Sequence, residues 1–399
     1  MKLEYQERIV EAIDYAVDKF KEDEEAIFAS EIERQILKYE KVFRKWNTSQ
    51  NCIFHNCENK SIKKSHTIQK MASLRRISEN GKVMTPQFNH NKEKLEVVSI
   101  GFGAASTFPG FCQKHERLFE DFELNKEINN SKDVVLQIFR TVCREKFSSK
   151  YNIDSLEARK KQYIQFRNKK VEEIFRQKIG NDFLEGDISF EDFRFDYNDV
   201  RLNLLNKNIK KLRLDKRFID KFYNCLIYDL DRKSPKKTYT QVIIVDIEFP
   251  VTLAGRSNFA VKTKNQEIDI ILNILPYESK TYIVVSTFIK NKRFVEQIID
   301  LDRLNNPIEI FNMLESWMIY GSDHWFLTPS VWNQIKSEYQ EKIISEIWNL
   351  TKDITHECEY SIFNSYRREF VRLIEEKIKD DNIPDAKEYL KKERAKLTN

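Results

Sequence analysis

Cys52-Ile53-Phe54-His55-Asn56-Cys57 and, well downstream, Phe111-Cys112-Gln113-Lys114-His115 are the stretches from which the rest of this chain is read. They hold three of the six cysteines and two of the six histidines, and Ser65-His66-Thr67-Ile68-Gln69 between them adds a third histidine. Sulfur and imidazole donors in two close pairs, separated by a long interval, are the donor pattern of a zinc site: each pair bites the ion through a short turn, and the fold brings the pairs together. Cys52 and Cys57 are five positions apart, and Cys112 and His115 three apart. The expected ligands of a structural Zn²⁺ are therefore Cys52, Cys57, Cys112 and His115, with His55 and His66 as alternative donors.

Around these pairs the composition changes. Residues 47–126 hold four of the chain's eight glycines, Gly81, Gly101, Gly103 and Gly110, together with Pro109. That is the make-up of loops and short strands around a metal. Glu79-Asn80-Gly81-Lys82 reads as a tight turn, with short strands at Val83-Met84 and Val97–Ile100 on either side. Ser65 to Ile77 reads as a short helix.

The flanking text is helical. Ile9, Ala12, Ile13, Ala16 and Phe20 keep a helical spacing, and an N-terminal helical element is expected over 1–46. Residues 131–233 form a second helical region: Ser131 reads as a cap, and the capping-box pattern Asp154-Ser155-Leu156-Glu157 opens a new helix running to Ile179. Further helices are expected at Val200–Ile209 and Asp215–Tyr228. After the linker Asp231–Lys237 the text becomes β-branched and alternating from Tyr239. Residues 238–399 read as an α+β domain with an antiparallel sheet of about four strands, then helices. The fold class expected is α+β, mostly helical, with a zinc module and a C-terminal antiparallel sheet packed with helices.

Bulk properties exclude several classes. Charged residues make up 33% of the chain but the formal net charge is only +5, so no global basic field demands nucleic acid. Six cysteines in 399 residues do not make a disulfide scaffold. The first residues are charged with no apolar stretch behind them, and no apolar run approaches the roughly 18 residues that span a bilayer. A cytoplasmic protein with no membrane partner is expected. Walker-type, dinucleotide-binding and Gly-x-Ser-x-Gly patterns are absent from the sequence.

With Cys52/Cys57 as a first knuckle, Ser65-His66 following it and Cys112/His115 as a second knuckle, residues 50–125 resemble the treble-clef zinc module of HNH-type endonucleases. The resemblance implies His66 as the general base activating water against a phosphodiester, and a catalytic Mg²⁺ or Mn²⁺ held beside it, separate from the structural zinc. By order in the chain, His90 and Asn91 are the candidates for a third catalytic position. His66 has a second reading, as a buttress or ligand of the zinc module.

Other patterns are weaker. Asp269, Glu278 and Lys280 follow the order of another nuclease superfamily, but Pro276–Ser279 reads as a hairpin turn that aims Glu278 and Lys280 into solvent. Asp246 and Glu248 share one strand face. The loop Asp323–Trp332 is read as aromatic packing between helix and sheet. Arg167, Lys169 and Lys170, on the basic helix after Asp154, are the candidate nucleic-acid contacts. Two functions follow. The first is a zinc-binding, nucleic-acid-associated protein with DNA or RNA as partner, a metal-dependent nuclease of a bacterial defence or mobile-element system. The alternative is a non-catalytic interaction or ligand-binding protein, with a protein or small-molecule partner, in which the zinc is purely structural.

Overall fold

The alternating text after Lys237 forms four long strands, β5 (Thr238–Val245), β6 (Val251–Val261), β7 (Gln266–Tyr277) and β8 (Lys280–Phe288). In the computed structural model they belong to a larger antiparallel sheet of seven strands. The structure describes residues 3–27, 46, 48–89, 92, 94–125, 127–180, 190, 199–232, 234–261, 266–299, 301, 303–349, 352–378 and 384–398. Two compact units are formed, Met1–Lys45 with Ser148–Arg217 and Trp46–Phe147 with Phe218–Asn399.

The sheet order is β3 (Lys94–Gly101), β2 (Lys82–Asn89), β9 (Trp325–Leu327), β6, β7, β8, β5. Its extra strands are β2 and β3 from the cysteine-bearing region, joined through β9. Leu327 pairs with Val251 on one side and Met84 on the other. The aromatic run at Trp325 therefore plugs the core, as expected, and also supplies a strand that stitches two distant segments into one sheet. Three residues carry no periodicity, which is why β9 was not foreseeable. Asn80 and Gly81, with φ of 51° and 73°, do form a tight turn closed by Glu79 and Lys82. That turn precedes the hairpin instead of joining its strands, and β2 and β3 run eight residues each.

β7 shows how the sheet is buried on both faces. Ile271, Leu275 and Tyr277 join one apolar cluster, while Ile268, Ile270, Leu272 and Ile274 join the other. On the second face lie α6 (Lys292–Ile298), α7 (Pro307–Ser316), α8 (Pro329–Asn333), α9 (Ser337–Asn349) and α10 (Asn364–Ile378), and α11 (Pro384–Ala395) packs against α10 through Leu390 and Val371. Arg367 of α10 is fully buried there; it donates to Glu315 at 2.5 Å, Asn312 at 2.9 Å and Ser361 at 3.0 Å, and pairs with Glu393.

The helical segments are longer than their local signals suggest. α4 runs unbroken over Ser131–Ile179, so Asp154 opens no new helix. No proline or glycine interrupts these 49 residues, and helix propagation overrides an internal cap signal. The cap is Asn130, whose Oδ1 accepts from the backbone of Lys132 and Asp133 at 2.8 and 3.0 Å. Gly180, at φ 71°, ends it. α5 (Val200–Leu230) likewise fuses the two helices expected there and is capped by Asp199. α1 covers Leu3–Ile27, with Ile9, Ala12, Ala16 and Phe20 in a core shared with Tyr163, Val171 and Phe175. The rest of the helix expected to 46 lies mostly outside the described residues, as do His90 and Asn91. Among the described residues no helix is long and apolar enough to cross a membrane.

Candidate metal centre

The first donor pair sits on a loop closed by the bridge between Asn51 and Lys60, where Asn56 at φ 55° turns the chain. Cys52 N–H donates to Asn59 O at 2.8 Å and Ile53 N–H to Gly110 O at 2.8 Å, so the loop is fastened to the segment that carries the second pair. That segment enters α2 (Gln113–Glu116) with Cys112 at its N-cap position and His115 one turn on. α3 (Glu120–Asn125) follows. Gly110 is required by its surroundings: a Cβ there would lie 2.2 Å from the ring of the buried Phe108. Gly110→Ala is expected to cost about 1–3 kcal/mol, read by urea denaturation.

The structure brings the four predicted donors together. Nδ1 of His115 lies 3.4 Å from Sγ of Cys52 and 3.4 Å from Sγ of Cys112, Cys57 and Cys112 sulfurs are 3.9 Å apart, and all four atoms lie within 4.8 Å of one another. A tetrahedral zinc with sulfur at about 2.3 Å and nitrogen at about 2.0 Å puts neighbouring sulfurs about 3.8 Å apart and sulfur and nitrogen about 3.5 Å apart. The donor set fits that ion. Burial pushes the Cys52 thiol up to about 11, opposed by the N–H of Cys112, which approaches Cys52 Sγ at 3.3 Å. A divalent cation reverses that preference, because zinc binds thiolates. Burial, then the charge of Lys114, lowers the His115 pKa and keeps the imidazole neutral, the form that ligates. Phe54 stacks on this ring at 4.1 Å. With three sulfurs and one nitrogen engaged, a tetrahedral ion has no open position for a reacting water.

His66 stands on β1 (Ser65–His66), paired with β4 (Thr107–Phe108). Its ring is half-buried, and its pKa is drawn down to about 4 by burial first and then by Arg140, with Lys70 adding and the Gly103 backbone and Glu123 opposing. It is neutral at pH 7, and Nε2 is buried without a hydrogen-bond partner among the described residues. Two carboxylates converge nearby, but on Arg140: the fully buried guanidinium pairs with Glu123 at 2.7 Å and Glu116 at 3.3 Å and lies over the Phe119 ring at 4.2 Å. Nε and Nη1 of Arg140 and Oε2 of Glu116 have no hydrogen-bond partner among the described residues. Reading the sequence missed this arginine, although a lone charge in the apolar stripe of Val135, Ile138, Phe139 and Val142 was the signal for it. Arg140→Met is expected to raise the His66 pKa above its present value of about 4, followed by NMR titration of the imidazole, because the repelling charge is gone.

Gln137 and Thr141, one turn apart on α4, meet Asn273 of β7: Gln137 donates to Asn273 Oδ1 at 3.1 Å and to Thr67 O at 3.0 Å, and Thr141 donates to Asn273 Oδ1 at 2.7 Å. The segment after His66 is thereby tied to the sheet.

The remaining candidates are spread out. Asp269 pairs with Arg256 at 2.5 Å, Lys280 pairs with Glu127, and Glu278 is exposed beside the turn at Ser279, as the hairpin reading expects. Glu248 accepts from Arg76 at 2.8 and 2.7 Å. Arg167 is buried and pairs with Asp199 at 2.8 Å, Lys170 pairs with Glu173 at 2.9 Å, and Lys169 is exposed. In comparisons with known proteins, no family model, no curated protein and no solved structure matches the chain.

Proposed function

We propose that this is a binding protein whose zinc is structural: Cys52, Cys57, Cys112 and His115 clasp the loop and α2 onto the core, and recognition is carried elsewhere on the chain. The observation that supports this most is Arg140. A nuclease of the HNH type needs a second divalent cation beside His66, and the carboxylates that converge there are already engaged by a buried guanidinium. A permanent cation paired to both carboxylates competes with Mg²⁺ or Mn²⁺ for them.

The nuclease reading, with its defence or mobile-element setting, keeps one observation in its favour. The neutral His66 ring with an unpartnered Nε2 has the protonation state of a general base. One experiment separates the two. Zinc-loaded protein incubated with Mg²⁺ or Mn²⁺ is expected to leave single- and double-stranded DNA and RNA intact, and His66→Ala to change stability only. Cleavage that His66→Ala abolishes at unchanged zinc content would establish the nuclease instead.

A further inference from the structure

In the unit formed by Met1–Lys45 and Ser148–Arg217, a groove of about 760 Å³ runs along one face of α4. Its size falls in the range of ligand sites, about 300–1,000 Å³. Lys160, Lys161 and Lys169 line it, with Ile164 and Phe190 supplying an apolar wall. Two acids also line it, and both are neutralised from outside the groove: Glu157 by Arg213 at 2.6 Å and Glu172 by Arg176 at 2.8 Å. Among the described residues the three lysines have no ion-pair partner. The described lining of the groove is therefore electropositive, in a chain whose overall charge is nearly balanced.

Spacing narrows the ligand. At a rise of about 1.5 Å per residue, Lys160 and Lys169 stand about 13 Å apart along the helix axis. Cations at both ends of such a run suit a chain with repeating phosphates better than a single compact phosphate cluster. The apolar wall suits bases or sugars lying between the phosphates, which a duplex does not present. The geometry points to a binding site for single-stranded nucleic acid in this groove, contacted through Lys160, Lys161 and Lys169. This deepens the binding-protein reading, and rests on it only in assigning recognition to a surface other than the zinc clasp.

The test is fluorescence anisotropy of a labelled ten-residue oligothymidylate against the zinc-loaded full chain over a series of salt concentrations. The Lys160→Glu, Lys161→Glu, Lys169→Glu triple variant is expected to bind at least about tenfold more weakly, with a log–log salt slope shallower by about 2, since each lost phosphate contact on a single strand removes about 0.7. An equal charge reversal at the exposed Lys207, Lys210 and Lys211 of α5 should leave affinity within about twofold. If the glutamate variant melts early, the Lys→Gln triple carries the same comparison. Failure of the wild type to bind, equal loss in both triples, or displacement of the oligonucleotide by polyglutamate at equal charge would each overturn the site. Zinc content and cleavage, read on the same preparations, report on the structural-zinc proposal independently.

Discussion

Cys112→Ser is expected to leave the protein essentially free of zinc after dialysis and to lower its melting temperature by about 10 °C, an estimate from several kcal/mol of lost metal-linked stability in a large unit. The residue acts at two levels. Its sulfur stands 3.4 Å from His115 Nδ1 and 3.9 Å from Cys57 Sγ, and its backbone N–H approaches the Cys52 sulfur at 3.3 Å while it begins α2. Serine keeps the size and the backbone but lacks a thiolate, so three donors remain for an ion that needs four. Cys225→Ser, at a half-buried cysteine outside the cluster, is expected to retain full zinc. Elemental analysis and calorimetry on the two variants make the comparison.

The second large effect is expected far from the metal. Arg367→Met should cost about 3–5 kcal/mol in urea denaturation, because it strands buried carboxylates without their cation. Glu315 and Glu393, 1% and 0% exposed, both pair with Arg367. Glu315 keeps its bonds from Ser361, Ile362 and Phe363, and Glu393 keeps Lys396 at 2.8 Å, so the loss is not complete. Adding Glu315→Gln and Glu393→Gln to the arginine change is expected to recover part of the stability, since the uncompensated charges are then removed. Zinc content should be unchanged in both.

How much of this was legible follows from the range of each signal. The four donors were readable because zinc ligation demands particular atoms in close pairs, and the geometry gathers those same four. The α+β class was readable because β5 begins in β-branched, alternating text and β7 and β8 are short apolar runs separated by a turn. The joining of β2 and β3 to that sheet was not, since it depends on a three-residue strand whose pairing is set by distant partners. Helix lengths were underread at Asp154 for a similar reason: a cap pattern is local, whereas continuation through it is decided by the whole run. Near His66 the sequence supplied the histidine but not its neighbours. Glu116 and Glu123 follow the second knuckle while Arg140 lies on the next long helix, and only folding shows that the carboxylates meet an arginine. The basic helix, too, divides on folding: Arg167 turns inward to Asp199, while Lys160, Lys161 and Lys169 remain on the groove.

Zinc-edge X-ray absorption on the purified chain tests the metal clasp most directly. Three sulfurs at about 2.3 Å and one nitrogen at about 2.0 Å, with about one zinc per chain, is the expected shell. A folded protein without zinc, or a shell in which a water oxygen replaces one of the four donors, would contradict a closed structural site.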